Sequence, residues 1–389
     1  MPDLDPDRPA PTTSASIGGM ALVDHHCHGV VRGDLDRRSF EGFITESFDP
    51  APEGTSRFDS PVGLAVRRWC APVLGLPPLG SPDDYLARRA ELGAEEVHRR
   101  FLRSARLEAL MVDTGHVAAS LLEPAAMGLL AAAPAYQVVR LETVAEALAG
   151  EGVDAAAYPD AFARALEEEA AGAVGLKTVV AYRGGFGLGP TRPSTREVVR
   201  AAGRWLSKPG APHLADPVLL GHGIWTGAEL ARDRGLPLQI HAGYGDPDLT
   251  LHLVNPSLLT DLVRALGQLR VDVIFLHCYP YHREAAYLAA VLPHVYFDVG
   301  LALHYTGPGA IRVLSEAMEL APFTKQLYSS DGFALAEFHY LGAMLFRRSL
   351  AAILEDWVRR EECSAADADR IAELLGRANA RRIYPLGDD

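Results

Sequence analysis

Short apolar runs alternate with longer amphipathic ones along the chain, starting near residue 20. Eight runs are strand-like: 21–25 (ALVDH), 108–113 (EALMVD), 136–142 (YQVVRLE), 173–182 (AVGLKTVVAY), 236–242 (LPLQIHA), 271–278 (VDVIFLHC), 294–300 (HVYFDVG) and 325–331 (KQLYSSD). Several are apolar at consecutive positions, which predicts strands covered on both faces, as in a parallel sheet. Helical stretches lie between them. The stretch 81–105 opens with Ser81 as N-cap, Pro82 in the first turn and acids behind it. The stretch 143–150 ends in a glycine of the C-cap kind, and 194–207, 255–269 and 281–292 follow later strands. Eight strands with helices between them predict an α/β fold, a (β/α)8 TIM barrel. The runner-up is an open, doubly wound sheet. That fold wants a GxGxxG turn after its first strand, whereas the glycines of GGFGLG (184–189) have another spacing and follow the fourth.

Two connections are long, 31–107 after strand one and 183–235 after strand four; insertions of this size on a barrel commonly form lids or substrate walls. The C-terminal stretch 364–386 reads as helical, with a closing role. Residues 1–18, rich in Pro, Asp, Ser and Thr, read as a disordered leader, and 19–389 as one barrel without internal repeat.

The 389 residues are 48% hydrophobic and 22% charged, an ordinary globular balance that permits a core of full size. A net charge of −13 argues against nucleic-acid or anionic-membrane partners, which favour basic surfaces. The four cysteines, Cys27, Cys70, Cys278 and Cys363, form no CxxC pair, and such scattered usage suits a reducing cytoplasm. The N-terminus lacks the apolar core of a signal peptide, and no apolar run reaches the roughly 18 residues of a membrane span.

The polar residues at the strand ends change the picture. His26 and His28 follow strand one in the stretch DHHCH, His241 ends strand five, His277 ends strand six and Asp331 ends strand eight. A barrel brings all these ends to one face, where active sites form. Alternate side chains of extended backbone point the same way, so His26 and His28 can grip one ion while Cys27 points elsewhere. Imidazoles with a carboxylate suit zinc, iron, manganese or cobalt and leave positions open for water. The other ten histidines (His25, His98, His116, His213, His222, His252, His282, His294, His304 and His339) are read as hydrogen-bonded structural residues. Arg183, just after strand four, is placed to clamp a substrate carboxylate bidentately. Tyr182, Tyr244, Asp246, Tyr279 and Glu284 lie near strand ends and are further substrate-pocket candidates, the alternative for Glu284 being an ordinary helix-start acid.

The order of ligands along the strands resembles the amidohydrolase superfamily of metal-dependent barrels. Within it, 236–259, 274–300, "LYSSDGF", "GLKTVVAYRGG" and "FITES" resemble amidohydrolase family 2, especially the barrel fused to glutamine-synthetase-like domains in FluG-type proteins. The likeness runs from about residue 20 to the C-terminus, and no synthetase-like domain follows within the 389 residues. The resemblance implies that His26, His28, His241 and Asp331 are metal ligands. His277 matches the sixth-strand histidine that holds a second ion in two-metal members and assists the reaction in one-metal members. Lys177 sits on the fourth strand, where two-metal members carry a carboxylated lysine bridging both ions.

The implied activity is metal-dependent hydrolysis of an amide-type C–N bond in a small acidic or γ-glutamyl-like molecule. A bound divalent ion lowers the pKa of water from about 15.7 to about 7. Asp331 would accept the proton of that water, and Asp331 or His277 would pass it to the leaving amine. Zinc is the leading expectation, as one or two ions. The alternatives are a non-oxidative decarboxylase, which the same ligands would serve, and a catalytically silent binding scaffold. The expected partner is a small-molecule substrate, with no nucleic acid and no membrane; a homo-oligomer stays open.

Overall fold

A computed structural model describes residues 13–116, 120–208, 210 and 213–387. Its centre is a parallel sheet of seven strands among the described residues, in chain order: β1 (Leu22–Cys27), β2 (Leu107–Asp113), β3 (Ala135–Arg140), β4 (Gly175–Thr178), β5 (Leu238–Ala242), β6 (Val273–His277) and β7 (Val295–Phe297). Every adjacent pair is parallel. All positions of β1, β4, β5, β6 and β7 are buried, as their continuous apolar runs predict.

The eighth predicted strand is a correction. Residues 327–331 have no regular ladder; only Gln326 forms an isolated bridge, to Phe297. The segment nonetheless spans the gap between the sheet's two edges. Leu327 N–H donates to the Phe297 carbonyl, and on the other side His25 N–H donates to Tyr328 O while Asp331 N–H donates to His26 O. Asp331 and Ala334 have positive φ, +48° and +61°, which takes their backbone out of the β region. The side chain of Asp24 accepts from both the backbone N–H and the hydroxyl of Ser330. A polar, bent segment tied to β1 therefore stands where a strand was expected, and the fold is an α/β, TIM-barrel-like half-barrel.

The helices differ from the sequence reading where glycine intervenes. The stretch 81–105 forms two helices, Pro82–Leu92 and Ala94–Ser104, broken at Gly93 with φ +76°. Ser81 caps the first, accepting from Asp84 N–H. The helix expected over 143–150 runs Leu141–Gly150, and the left-handed glycine beyond it is Gly152 rather than Gly150. The stretch 255–269 divides into a 3-10 turn, Pro256–Leu259, and a helix, Thr260–Gly267. The connection 31–107 carries the short helices Arg37–Phe43 and Pro61–Ala65, and 183–235 carries Thr195–Leu206 and Pro217–Arg234. Residues 1–12 of the expected leader lie outside the described residues; Thr13–Gly19 form a helix with Ile17 buried. The helix Ala336–Arg359 lies against Thr13–Gly19, and the C-terminal turns bring Tyr384 beneath the sheet. No described helix is long and apolar enough to cross a membrane.

Candidate metal and active site

The chain leaves the C-terminal ends of the strands close together, and there the predicted polar residues meet. His26 lies inside β1 rather than after it, and His28 is the first residue beyond. His26 Nε2 is 3.2 Å and His28 Nε2 3.4 Å from Asp331 Oδ1, while His277 Nε2 is 3.5 Å from Asp331 Oδ2. The His241 ring is 4.7 Å from that of His277, and its Nε2 is buried without a hydrogen-bond partner. Burial, then the neighbouring Lys177 ammonium, holds the His26 imidazole well below the ordinary histidine range. Burial does the same for His241, reinforced by His277. Burial alone would raise the Asp331 carboxyl, but His277, His26 and His28 hold it well below the usual carboxylate range.

Two of these residues sit on uncommon backbone. His277 has φ +67° and Asp331 +48°, left-handed conformations that cost a non-glycine residue on the order of 1–3 kcal/mol. Asp298 Oδ1 meets the His277 backbone N–H at 2.8 Å and helps hold the first. The adjoining Gly243, φ +78°, has no room for a side chain: a Cβ would lie 2.3 Å from the Tyr279 carbonyl oxygen.

Lys177 is the second-last residue of β4, because that strand ends at Thr178 and Val180–Arg183 form a 3-10 turn instead of continuing it. Its ammonium therefore reaches the site. Nζ is 3.0 Å from His26 Nε2 and 2.9 Å from Asp113 Oδ2. Arg140 holds the same Asp113 oxygen from NH2 at 2.6 Å. Burial alone would raise the Asp113 carboxyl; Arg140 and Lys177 hold it well below the carboxylate range.

The donor set fits a divalent cation. Two donors about 2.1 Å from one ion and about 90–109° apart lie roughly 3.0–3.4 Å from each other, close to the spacings around Asp331. His26, His277 and Asp331 form one compact group of donor atoms, and His26, His28 and Asp113 another. Burial favours the neutral imidazoles of His26, His241 and His277, the form that ligates metals.

A cavity of about 500 Å³ opens above these residues. His28, Lys177, His241, His277 and Asp331 form its floor, and Tyr182, Arg183 and Asp246 line it as well. Tyr182 lies with its ring 4.6 Å from His241. Arg183 NH2 donates to Glu146 at 3.1 Å, and its NH1 contacts the ring of His213. Tyr244 instead packs its ring on Tyr305 at 5.6 Å, Tyr279 stacks on His282, and Glu284 sits in the first turn of the helix His282–Val291; none of these three lines the cavity.

Several lining residues carry no role in the sequence reading: Glu46, His116, Arg140, His304, Tyr305 and Phe333. Glu46 comes from the loop after the helix Arg37–Phe43, and burial, with Asp331 and Asp246 nearby, pushes its carboxyl up to about 7 against a hydrogen bond from Tyr305. Asp113 and Arg140 end β2 and β3, so the strand-end rule that found His241 and His277 would have found them too. Glu46 and His116 lie on loops, where no periodicity marks them.

The family model described as Amidohydrolase (Amidohydro_2) matches residues 23–386. Over 225 residues the chain is 32% identical to protein fluG of Emericella nidulans, a match covering 55% of this chain and 26% of that protein, so the chain spans only about a quarter of this relative. A crystal structure from Lactobacillus casei, assigned provisionally as a metal-dependent hydrolase, superposes with a TM-score of 0.81 at 28% identity, over 95% of this chain and 96% of that one. Uronate isomerase from Thermotoga maritima shares the fold, with a TM-score of 0.65 at 12% identity over 96% of both chains. With the match spanning nearly the whole chain, the protein belongs to amidohydrolase family 2.

Proposed function

We propose that the chain is a metal-dependent hydrolase that cleaves an amide-type C–N bond in a small, γ-glutamyl-like molecule. The observation that carries this reading is the gathering of His26, His28 and His277 around Asp331 at the base of a cavity that His28, His277 and Asp331 line. His26, His28, His241 and Asp331 would hold the ion, zinc being the leading choice, with His277 and Lys177 completing a second position. A divalent ion held there supplies electrophilic polarisation of a carbonyl and acidifies water towards a pKa of about 7.

The chain's own residues do the rest. Asp331 orients the attacking water through a carboxylate oxygen and takes its proton, a task suited to an ionised acceptor at short range. His277, neutral and beside Asp331, relays that proton to the departing nitrogen. Phe333 and Phe338 add apolar surface to the cavity lining. For the substrate, Arg183 offers a guanidinium with an unpaired, buried Nε, while Glu46 and Asp246 offer carboxyls in the same cavity. A molecule bearing both a carboxylate and an amino group, as a γ-glutamyl amide does, matches that mixture of charge better than a plain anion.

The test pairs metal quantification with a screen of N-acyl and γ-glutamyl amides. The expected result is bound metal and release of ammonia or amine, lost by about 10²-fold or more in Asp331→Asn and His26→Ala but kept in His252→Ala, whose side chain is exposed. Equal turnover in all three sinks the assignment of residues. Carbon dioxide in place of amine converts the enzyme to a decarboxylase, and protein purified without chelator that holds no metal would make the barrel a binding scaffold.

A further inference from the structure

Beneath the site, four buried side chains from distant parts of the chain form one hydrogen-bonded line. Gln239 on β5 donates through Nε2 to the Tyr384 hydroxyl at 2.8 Å and to the His25 carbonyl at 2.9 Å. The Tyr384 hydroxyl is 3.0 Å from His25 Nδ1, and His25 Nε2 is 2.9 Å from Asp298 Oδ2. The other oxygen of Asp298 accepts from the backbone N–H of His277 and of Gly300, both at 2.8 Å. Gln239, His25 and Asp298 have no exposed surface and Tyr384 almost none.

The ends of this line fix two of its donors. A carbonyl only accepts, so the Gln239 atom facing His25 O is the amide nitrogen, and that nitrogen also donates to the Tyr384 oxygen. An aspartate carboxylate only accepts, so His25 donates from Nε2. The Tyr384 hydroxyl lies 3.0 Å from His25 Nδ1 and 3.4 Å from the His25 carbonyl oxygen, within reach of both. The line runs from β5 through the C-terminal tail and β1 to the backbone of His277, and within it only the Gln239 side-chain oxygen at its far end is buried without a partner among the described residues. That backbone is left-handed at His277 (φ +67°) and again at Cys278 (φ +56°), so it needs an external hold to aim the imidazole.

We propose that Tyr384, His25 and Asp298 are positioning residues: the C-terminal segment, through His25 and Asp298, holds the His277 backbone in the conformation that presents its imidazole to the cation. The inference rests on His277 lying in the metal centre of the proposed function. It makes Tyr384, 107 positions along the chain from His277, a determinant of metal affinity although it touches neither ion nor substrate.

The test uses the full chain, stripped of metal and titrated with Zn(II) and, separately, with Co(II) followed by its visible absorption. Asp298→Ala is expected to weaken Zn(II) binding about 10- to 100-fold, the usual cost of losing a group that orients a ligand, and to shift the Co(II) bands. Asp298→Asn is expected to recover affinity to within a few-fold, because its amide oxygen still accepts both backbone N–H groups and His25 can reverse its tautomer. Tyr384→Phe is expected to weaken Zn(II) binding several-fold and to shift the Co(II) bands in the same sense. If Asp298→Ala does not fold, Tyr384→Phe decides alone. Wild-type Zn(II) affinity with unchanged Co(II) bands in Tyr384→Phe, or in a folded Asp298→Ala, overturns the proposal while leaving the metal centre intact. A wild-type chain that takes up neither ion overturns the proposal together with the metal reading itself.

Discussion

At the residue scale, Lys177 shows how a few ångströms decide a role. From the sequence it lies six positions before Arg183 on an expected ten-residue strand, which does not say which end of the barrel it occupies. The strand stops at Thr178, and the amine arrives 3.0 Å from His26 Nε2. It is also paired with Asp113, whose second cation is Arg140. Carboxylation would turn this cation into an anion facing Asp113, and Arg140 would then carry the compensation alone. If Lys177 bridges two ions, Lys177→Ala lowers the bound zinc from two per chain to one, read by elemental analysis. A count that does not change removes the bridging role and leaves Lys177 as the partner of Asp113.

At the element scale, the segment 326–334 matters more than its irregularity suggests, because it carries Asp331. Its link to β1 runs through Asp24, a fully buried carboxyl that burial pushes up to about 7 even though Ser330 donates to it twice. Replacing Asp24 by Ala strands the Ser330 N–H and hydroxyl in a buried place, and each such orphan costs about 1–3 kcal/mol. Asp24→Ala is therefore expected to lower thermal stability by a few kcal/mol and to weaken metal binding along with it, as measured by melting with and without Zn(II). Loss of stability with unchanged metal affinity would mean that the backbone hydrogen bonds to β1 keep Asp331 in place without Asp24. The strands themselves were legible from their apolar runs. This segment was read as a strand because LYSSD looks strand-like locally, while its departure depends on partners some 300 residues away.

At the scale of the whole molecule, the fold buries uncharged histidines well away from the cavity. Burial lowers His98 and His222 to about 4, from an ordinary value near 6.5. In the unfolded chain each takes up a proton as pH falls through about 6.5, whereas in the folded chain it does so only near 4. Their contribution to stability is thus complete above about pH 6.5 and is lost progressively as pH falls towards 4. Each adds at most about 1.4 kcal/mol per pH unit to the slope. His222 rests against Tyr158 and Phe162 with its Nε2 unpaired, so His222→Phe keeps the packing and removes the proton. Melting temperatures between pH 7 and 4.5 should fall less steeply in that variant; an identical slope would show that His222 does not contribute.

The sequence by itself determined the class of fold and most of the candidate metal donors. Buried parallel strands must be apolar at successive positions, and a polar residue at the end of such a run has only the strand-end face to occupy, so His26, His28, His241 and His277 could be placed from their neighbours alone. Tertiary structure decided what depends on distance rather than periodicity. It brought Glu46 and His116 from loops into the cavity, left Tyr279 and Glu284 outside it, and put His25, whose sequence neighbourhood is indistinguishable from that of His26, into a line that passes through Tyr384. Two adjacent histidines on one strand point to opposite faces of the sheet; which face meets Asp331 and which meets the C-terminal tail is settled only when the whole chain has closed around them.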